Sequence, residues 1–233
     1  NPHQYEPKLV SVLFGDRLPK GAVVVCLSQA LKDACLNHGY RDDQLWCRPN
    51  PVDESRFNYE AGRKALHRNG LFPAIDESNV LILYLAKFIP LKNQLFLVDV
   101  MSHLPDHFKL VMVGPLVDSG PLAKRDGDYY AAIEEAVHGR GLEDRVQLIP
   151  RFISDPQDYM KAADVLVMPT VQEALGTPFL EALACGVPVV ANNIPGVFDQ
   201  WIRPGVNGYI CDLDATLWAE KITMATRIPE ENR

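Results

Sequence analysis

Glu173-Ala-Leu-Gly-Thr-Pro-Phe-Leu-Glu181 lies between two apolar runs, Asp164-Val-Leu-Val-Met-Pro169 before it and Phe179 to Cys185 after it. The first run has the length of a buried strand and the second the composition of a buried helix, so the segment reads as strand, loop and helix start. Gly176 supplies the backbone freedom of a sharp turn, and Pro178 has the fixed φ suited to a first helical position, where its missing N–H costs nothing. Thr177 then reads as the N-cap. The dipole and unpaired N–H groups of such a helix start favour a phosphate above the carboxyl end of the strand. Glu173 in the loop and Glu181 in the first turn would flank that anion, both able to accept hydrogen bonds from hydroxyls. A structural reading stays open beside this one, with Glu173 a solvated loop charge and Glu181 a capping-box residue. A capping box, however, places its acid three residues after the N-cap, at Leu180, and Glu181 stands among Phe179, Leu180, Ala182, Leu183 and Ala184, where an unpartnered carboxylate is costly.

Outward from this stretch, the chain alternates strand and helix. Strands are expected at 80–86, 109–114, 145–149, 164–169, 187–191 and 209–211. Helices are expected at 91–104, 128–139, 156–163, from Pro178, near Phe198 and at 214–226. The strands are apolar on both faces, as parallel strands covered by helices are, which implies an α/β, doubly wound, Rossmann-like sheet with ligands above the carboxyl ends. Earlier in the chain, 21–27 reads as a buried strand, Ser28 as an N-cap, 29–38 as a helix closed by Gly39, and 45–47 as a short strand before the connector Arg48-Pro-Asn-Pro-Val-Asp53. Residues 1–20, polar and dotted with proline, read as loop.

The chain has 233 residues, 47% hydrophobic and 23% charged, enough for a sizeable core. Its net charge of −7, with no run of Lys or Arg, argues against nucleic acid as a partner. Cys26, Cys35, Cys47, Cys185 and Cys211 form no C-x-x-C pair and read as buried thiols of a reducing, cytoplasmic compartment. The histidines offer no metal spacing, because Pro105 breaks any helix that would align His103 with His107, so no protein-built metal site and no cofactor are expected. No stretch approaches the ~20 apolar residues of a membrane span, and Asn1-Pro-His-Gln-Tyr5 does not read as a signal peptide, although peripheral membrane contact stays open. No G-x-G-x-x-G follows a strand, and no Walker A motif or G-x-S-x-G elbow occurs, which leaves dinucleotide oxidoreductases, P-loop NTPases and elbow hydrolases without support.

Glu173 to Ala191, EALGTPFLEALACGVPVVA, resembles the Glu-x7-Glu signature of retaining GT-B glycosyltransferases, glycosyltransferase family 4 in particular. The Ser28 segment and Pro49-Asn-Pro-Val-Asp53 before Phe57 are similar to the way these enzymes leave their first domain. The resemblance implies the C-terminal, donor-binding half of a GT-B fold over 58–233, with 1–57 the end of the N-terminal domain and the linker. Lys87 and Lys92, five apart after the first strand of the sheet, read from residue type alone as exposed lysines or as cations for a diphosphate. The resemblance implies the latter. The family carries Arg-x4-Lys here, so Lys92 fits the second position, while Lys87 keeps the charge of the first and loses its bidentate fork. It further implies Glu173 on sugar hydroxyls, Glu181 on ribose hydroxyls, and donor contacts from Leu175, Gly176 and Thr177. Phe152, in a segment where the family holds the nucleobase through backbone groups, is either a donor contact or core. Asp199 reads as a helix N-terminal acid.

The implied activity is transfer of a hexose from a nucleotide diphosphate sugar to a glycan, lipid or small-molecule acceptor held by the N-terminal domain, with retention and without a divalent metal. A non-catalytic sugar-nucleotide-binding module and a GT-B sugar-nucleotide epimerase share the architecture. Incubation with labelled sugar nucleotides, followed for transfer, hydrolysis or epimerisation, separates the three.

Overall fold

In the computed structural model, which describes residues 21–229, the chain forms a six-stranded sheet preceded by a two-stranded one. The expected loop at 1–20 lies outside the described residues. The small sheet pairs β1 (Val24–Cys26) with β2 (Leu45–Cys47) in parallel, and α1 (Gln29–Asn37) connects them. Ser28 caps α1, its hydroxyl accepting from the Leu31 N–H at 3.4 Å, and Gly39 takes a φ of 87° after the helix.

The large sheet contains β3 (Val80–Leu85), β4 (Phe108–Val113), β5 (Val146–Ile149), β6 (Val165–Met168), β7 (Val189–Asn192) and β8 (Gly208–Cys211). Their order is β5-β4-β3-β6-β7-β8, and every pairing is parallel. Leu81, Leu83, Val111, Val165, Leu166, Val167, Val189 and Val190 are all fully buried, so both faces must be covered. Each such side chain contributes about 1.5–3 kcal/mol relative to exposure.

Two groups of helices provide the cover. On one side α3 (Gln94–Met101) packs on α4 (Ala123–Gly139) and α7 (Ala215–Thr226); on the other, α5 (Pro156–Ala162) packs on α2 (Lys64–Leu71) and α6 (Thr177–Ala184). Edge-on aromatic pairs lock the layers, Phe96 with Trp218 at 5.2 Å and Phe179 with Phe198 at 5.2 Å. All five cysteines are free thiols and four are buried; burial pushes Cys26 up to about 12 and Cys185 up to about 11.

Three local expectations are corrected. No helix forms near Phe198; the chain turns there instead, because Gly196 takes a φ of 77° and its N–H donates to the Asp199 carboxylate at 2.9 Å. Asp199 therefore closes a turn rather than capping a helix. The helix expected at 91–104 is shortened to α3, because residues 90–92 form a 3-10 turn and Asn93 takes a left-handed φ of 56°. Helix α2 was not expected, since its one buried residue is a charged one, Arg68.

Arg68 explains α2. Its side chain is 5% exposed, and it donates to the Ala162 carbonyl through Nε and Nη2 (3.1 and 2.8 Å), to the Asn79 carbonyl (3.1 Å) and to Asp164 Oδ2 (2.7 Å). Asp164 in turn accepts from the Leu81 N–H at 2.7 Å and from Lys64 at 3.2 Å. This network fastens α2 and α5 to the amino ends of β3 and β6.

Candidate active site

Strands β3 and β6 are neighbours in the sheet, and chain progression reverses between them. Such a switch point opens a crevice above the carboxyl ends, because the connections leaving the two strands diverge to opposite faces. The segments that rim it are 86–93 after β3 and 169–177 after β6.

The two segments are bound together. The Leu91 carbonyl accepts from the Val171 N–H at 3.0 Å, and the Thr170 hydroxyl lies 3.0 Å from it and 2.8 Å from the Gln172 carbonyl. Tyr84, fully buried at the end of β3, donates its hydroxyl to the Lys92 carbonyl at 2.7 Å. Asn93 Nδ2 reaches the Pro169 carbonyl at 3.2 Å. Among the described non-glycine residues only Asn93 has positive φ, a conformation asparagine tolerates better than most. The left-handed step ends the 3-10 turn and aims Lys92 across the crevice.

Lys92 Nζ meets Glu173 Oε2 at 2.5 Å, while Glu173 Oε1 accepts from the Ala174 N–H at 3.0 Å. The two side chains are 23% and 14% exposed, so the pair is partly screened. Lys87 stands exposed on the same rim, and its ammonium makes no hydrogen bond with a described residue. Its backbone is fixed from below. The preceding Ala86 carbonyl approaches Gly114 so closely that a Cβ on Gly114 would lie 1.9 Å from the oxygen, leaving room for glycine alone.

Gly176, at a φ of 78°, is the N-cap of α6, and Thr177 is its first helical residue. The expected Thr177 cap is thus displaced by one position, because the left-handed glycine completes the turn and leaves Thr177 with helical backbone. A Cβ on Gly176 would meet Phe198, Glu173 and Met168 at 3.1–3.2 Å. Pro178 has no N–H, and that of Phe179 donates to the Gly176 carbonyl at 2.9 Å. The N–H groups of Leu175, Gly176 and Thr177 donate to no acceptor among the described residues, although Leu175 and Gly176 are buried. Consecutive unpaired N–H groups at a helix start form a concave anion site.

Glu181 lies one turn further along α6, half-buried, and its carboxylate has no hydrogen-bond partner among the described residues. Burial pushes its carboxyl above the ordinary range, and the nearby Arg56 guanidinium opposes the shift. Phe152 follows β5 and is 80% exposed, so it is not core. No three His, Cys, Asp or Glu side chains among the described residues stand close enough to share a metal ion, and no described helix is long and apolar enough to cross a membrane.

A cavity of about 430 Å³ opens at the opposite, amino edge of the sheet, lined by Tyr59, Glu60, Lys64, Arg68, Lys161 and Asp164. Its cations are already paired, Lys161 with Glu60 at 2.5 Å and Arg68 and Lys64 with Asp164, so size alone does not make it the site.

A family model described as Glycosyl transferases group 1 matches residues 72–233, which spans both rims of the crevice. The chain belongs to the glycosyl transferases group 1 family. The D-inositol 3-phosphate glycosyltransferase of Xylanimonas cellulosilytica is 30% identical over 206 residues, 85% of this chain and 47% of that protein. The N-acetyl-alpha-D-glucosaminyl L-malate synthase of Bacillus anthracis is 25% identical over 144 residues, 61% of this chain and 34% of that one. Among solved structures, Anabaena HepE in complex with UDP-glucose matches with a TM-score of 0.83 and 22% identity, over 100% of this chain and 63% of that one. The C-terminal domain of a glycosyl transferase group 1 family protein from Francisella tularensis matches with a TM-score of 0.63 and 21% identity, over 78% of this chain and 94% of that one. These structural likenesses speak for the fold, a doubly wound parallel sheet of the kind found in GT-B glycosyltransferases. The chain spans about half the length of the curated group 1 relative named first.

The sequence motif had pointed to the 173–181 side of the crevice. Tyr84, Asn93 and Thr170, which hold the Lys92 side in place, carried no comparable signal; only the left-handed tolerance of Asn93 after a turn hinted at it.

Proposed function

We propose that this chain supplies the donor site of a hexosyltransferase, which moves a hexose from a nucleotide diphosphate sugar to an acceptor with retention of the anomeric configuration. The observation that carries this reading is the Lys92–Glu173 pair at the switch point, beside the unpartnered N–H groups of Leu175, Gly176 and Thr177. An ammonium has three donors and Lys92 spends one on Glu173, so two remain for diphosphate oxygens. Lys87 adds a second, exposed charge. Glu173 keeps lone pairs for sugar hydroxyls, and Glu181 accepts from the ribose. As the bond from the anomeric carbon to the diphosphate breaks, negative charge grows on the leaving oxygen, and Lys92, Lys87 and the N–H groups stabilise it. The acceptor oxygen attacks from the same face and its proton passes to the departing diphosphate. In this reading residues 1–57 belong to an N-terminal acceptor domain and its linker, residues 58–233 form the donor domain, and the enzyme works in the cytoplasm on a glycan, lipid or small-molecule acceptor, with peripheral membrane contact where that acceptor is a lipid.

Calorimetric titration of the 233-residue chain with UDP, ADP and GDP tests the reading. One of them is expected to bind, with unchanged affinity in excess chelator, because two lysines and the backbone N–H groups already supply positive charge. Affinity that vanishes with chelator would overturn the metal-independent site.

The two glutamates are expected to divide the donor. Glu181→Gln should weaken nucleoside diphosphate and intact nucleotide sugar alike, by about 1.5–3 kcal/mol, the worth of hydrogen bonds to a charged group. Glu173→Gln still offers Lys92 an acceptor and should leave the bare diphosphate almost untouched, its loss appearing with the intact donor and in turnover. Equal losses on both ligands for Glu173→Gln would contradict the division.

A further inference from the structure

The connector after β2 follows helix α6 along its length. Asn50 Nδ2 lies 3.5 Å from the Thr177 hydroxyl at the amino end of α6. The Asn58 backbone lies beside the Cys185 thiol at the carboxyl end, and the Tyr59 ring lies so close over Gly186 that a Cβ there would be 2.8 Å away. Between these points is a turn tied by Asp53, whose Oδ1 accepts from the Ser55 N–H at 3.1 Å and the Ser55 hydroxyl at 2.6 Å. That turn presents Arg56. Its Nη2 donates to the Ser154 carbonyl and to Gln157 Oε1, both at 2.8 Å, while Nε and Nη1 donate to no described residue.

Arg56 thus ties the connector that runs beside α6 to a part of the chain far away in sequence, the loop after β5 that carries Phe152. Ser154 ends that loop and Gln157 lies in the first turn of α5, so the two hydrogen bonds set where the loop backbone stands. Glu181 is close enough to feel the guanidinium charge. Resting on the donor-site reading above, we propose that Arg56 is a positioning residue for the nucleoside half of the donor, holding the 151–154 loop against the Glu181 face of α6. Base and ribose then meet a wall already in place, and the order lost on binding is reduced. The alternative is that Arg56 only staples the connector to α5, in which case its loss lowers the melting temperature and leaves ligand selectivity alone.

The test compares two probes, the tightest-binding of UDP, ADP and GDP, and inorganic pyrophosphate, which lacks the nucleoside. In Arg56→Ala and Arg56→Lys the nucleoside diphosphate is expected to bind about tenfold more weakly, while pyrophosphate stays within about twofold. Lysine does not rescue, because its ammonium, a strongly hydrated point charge on a flexible stem, does not reproduce the fixed planar geometry with which the guanidinium meets Ser154 and Gln157. An unchanged nucleoside diphosphate affinity in Arg56→Ala, or equal losses for both probes, overturns the proposal while leaving the donor site standing. If the unaltered chain binds none of the three nucleotides, the functional reading itself falls, and this inference with it.

Discussion

A chain carrying Lys92→Met is expected to bind nucleoside diphosphate about a hundredfold more weakly than the unaltered chain, the loss of two charge-assisted hydrogen bonds to phosphate oxygens. The same change removes the cation from Glu173, which is 14% exposed. A fully buried pair broken from one side costs about 3–5 kcal/mol; here solvent still reaches both partners, and about 2 kcal/mol is expected, a fall of roughly 4–8 °C in melting temperature. The double change Lys92→Met with Glu173→Gln separates the two effects, since it removes the orphaned charge. It should regain most of the stability and none of the affinity. Recovery of binding in the double variant, or normal binding in the single one, would show that the pair is structural.

Arg68→Ala is expected to be the most destabilising of these changes and to leave the site chemistry intact. It would strip a hydrogen-bond partner from the Ala162 and Asn79 carbonyls and from Asp164, at the amino edge of the sheet. The cost of leaving one side of a buried ionic network behind is about 3–5 kcal/mol, which for a domain of this size lowers the melting temperature by about 6–20 °C. Nucleoside diphosphate affinity, measured well below that temperature, should be unchanged. Arg68→Lys can keep the Asp164 contact but not the forked contact to Ala162, so it should fall between. A loss under about 1 kcal/mol would mean that the network is not what fastens α2 and α5.

The strands of the sheet were legible because their side chains are apolar on both faces, a pattern that only covered parallel strands need. The strand, loop and helix around Gly176 were legible for a related reason, since glycine, proline and a following apolar run each have one plausible use there. Even so, the helix start shifted by one residue, because left-handed backbone at Gly176 could not be told from cap chemistry at Thr177. Helix α2 escaped because the residue it buries is Arg68, whose partners Ala162 and Asp164 are nearly a hundred positions away. The Lys92–Glu173 pair is of the same kind. Each residue could be singled out, but a strand order that makes β3 and β6 neighbours is what brings the two side chains together. Arg56 gave no signal at all, since a linker arginine is unremarkable until the loop it holds is seen beside it.

The donor is expected at the carboxyl ends of β3 and β6 and not in the cavity at the amino edge. Backbone amide shifts of the 233-residue chain, followed as the tightest-binding nucleoside diphosphate is added, test it residue by residue. The largest changes are expected at Lys87 and Lys92, at 151–154, at Leu175 to Thr177 and at Glu181. Largest changes at Glu60, Lys64, Arg68 and Lys161, around the amino-edge cavity, would contradict it.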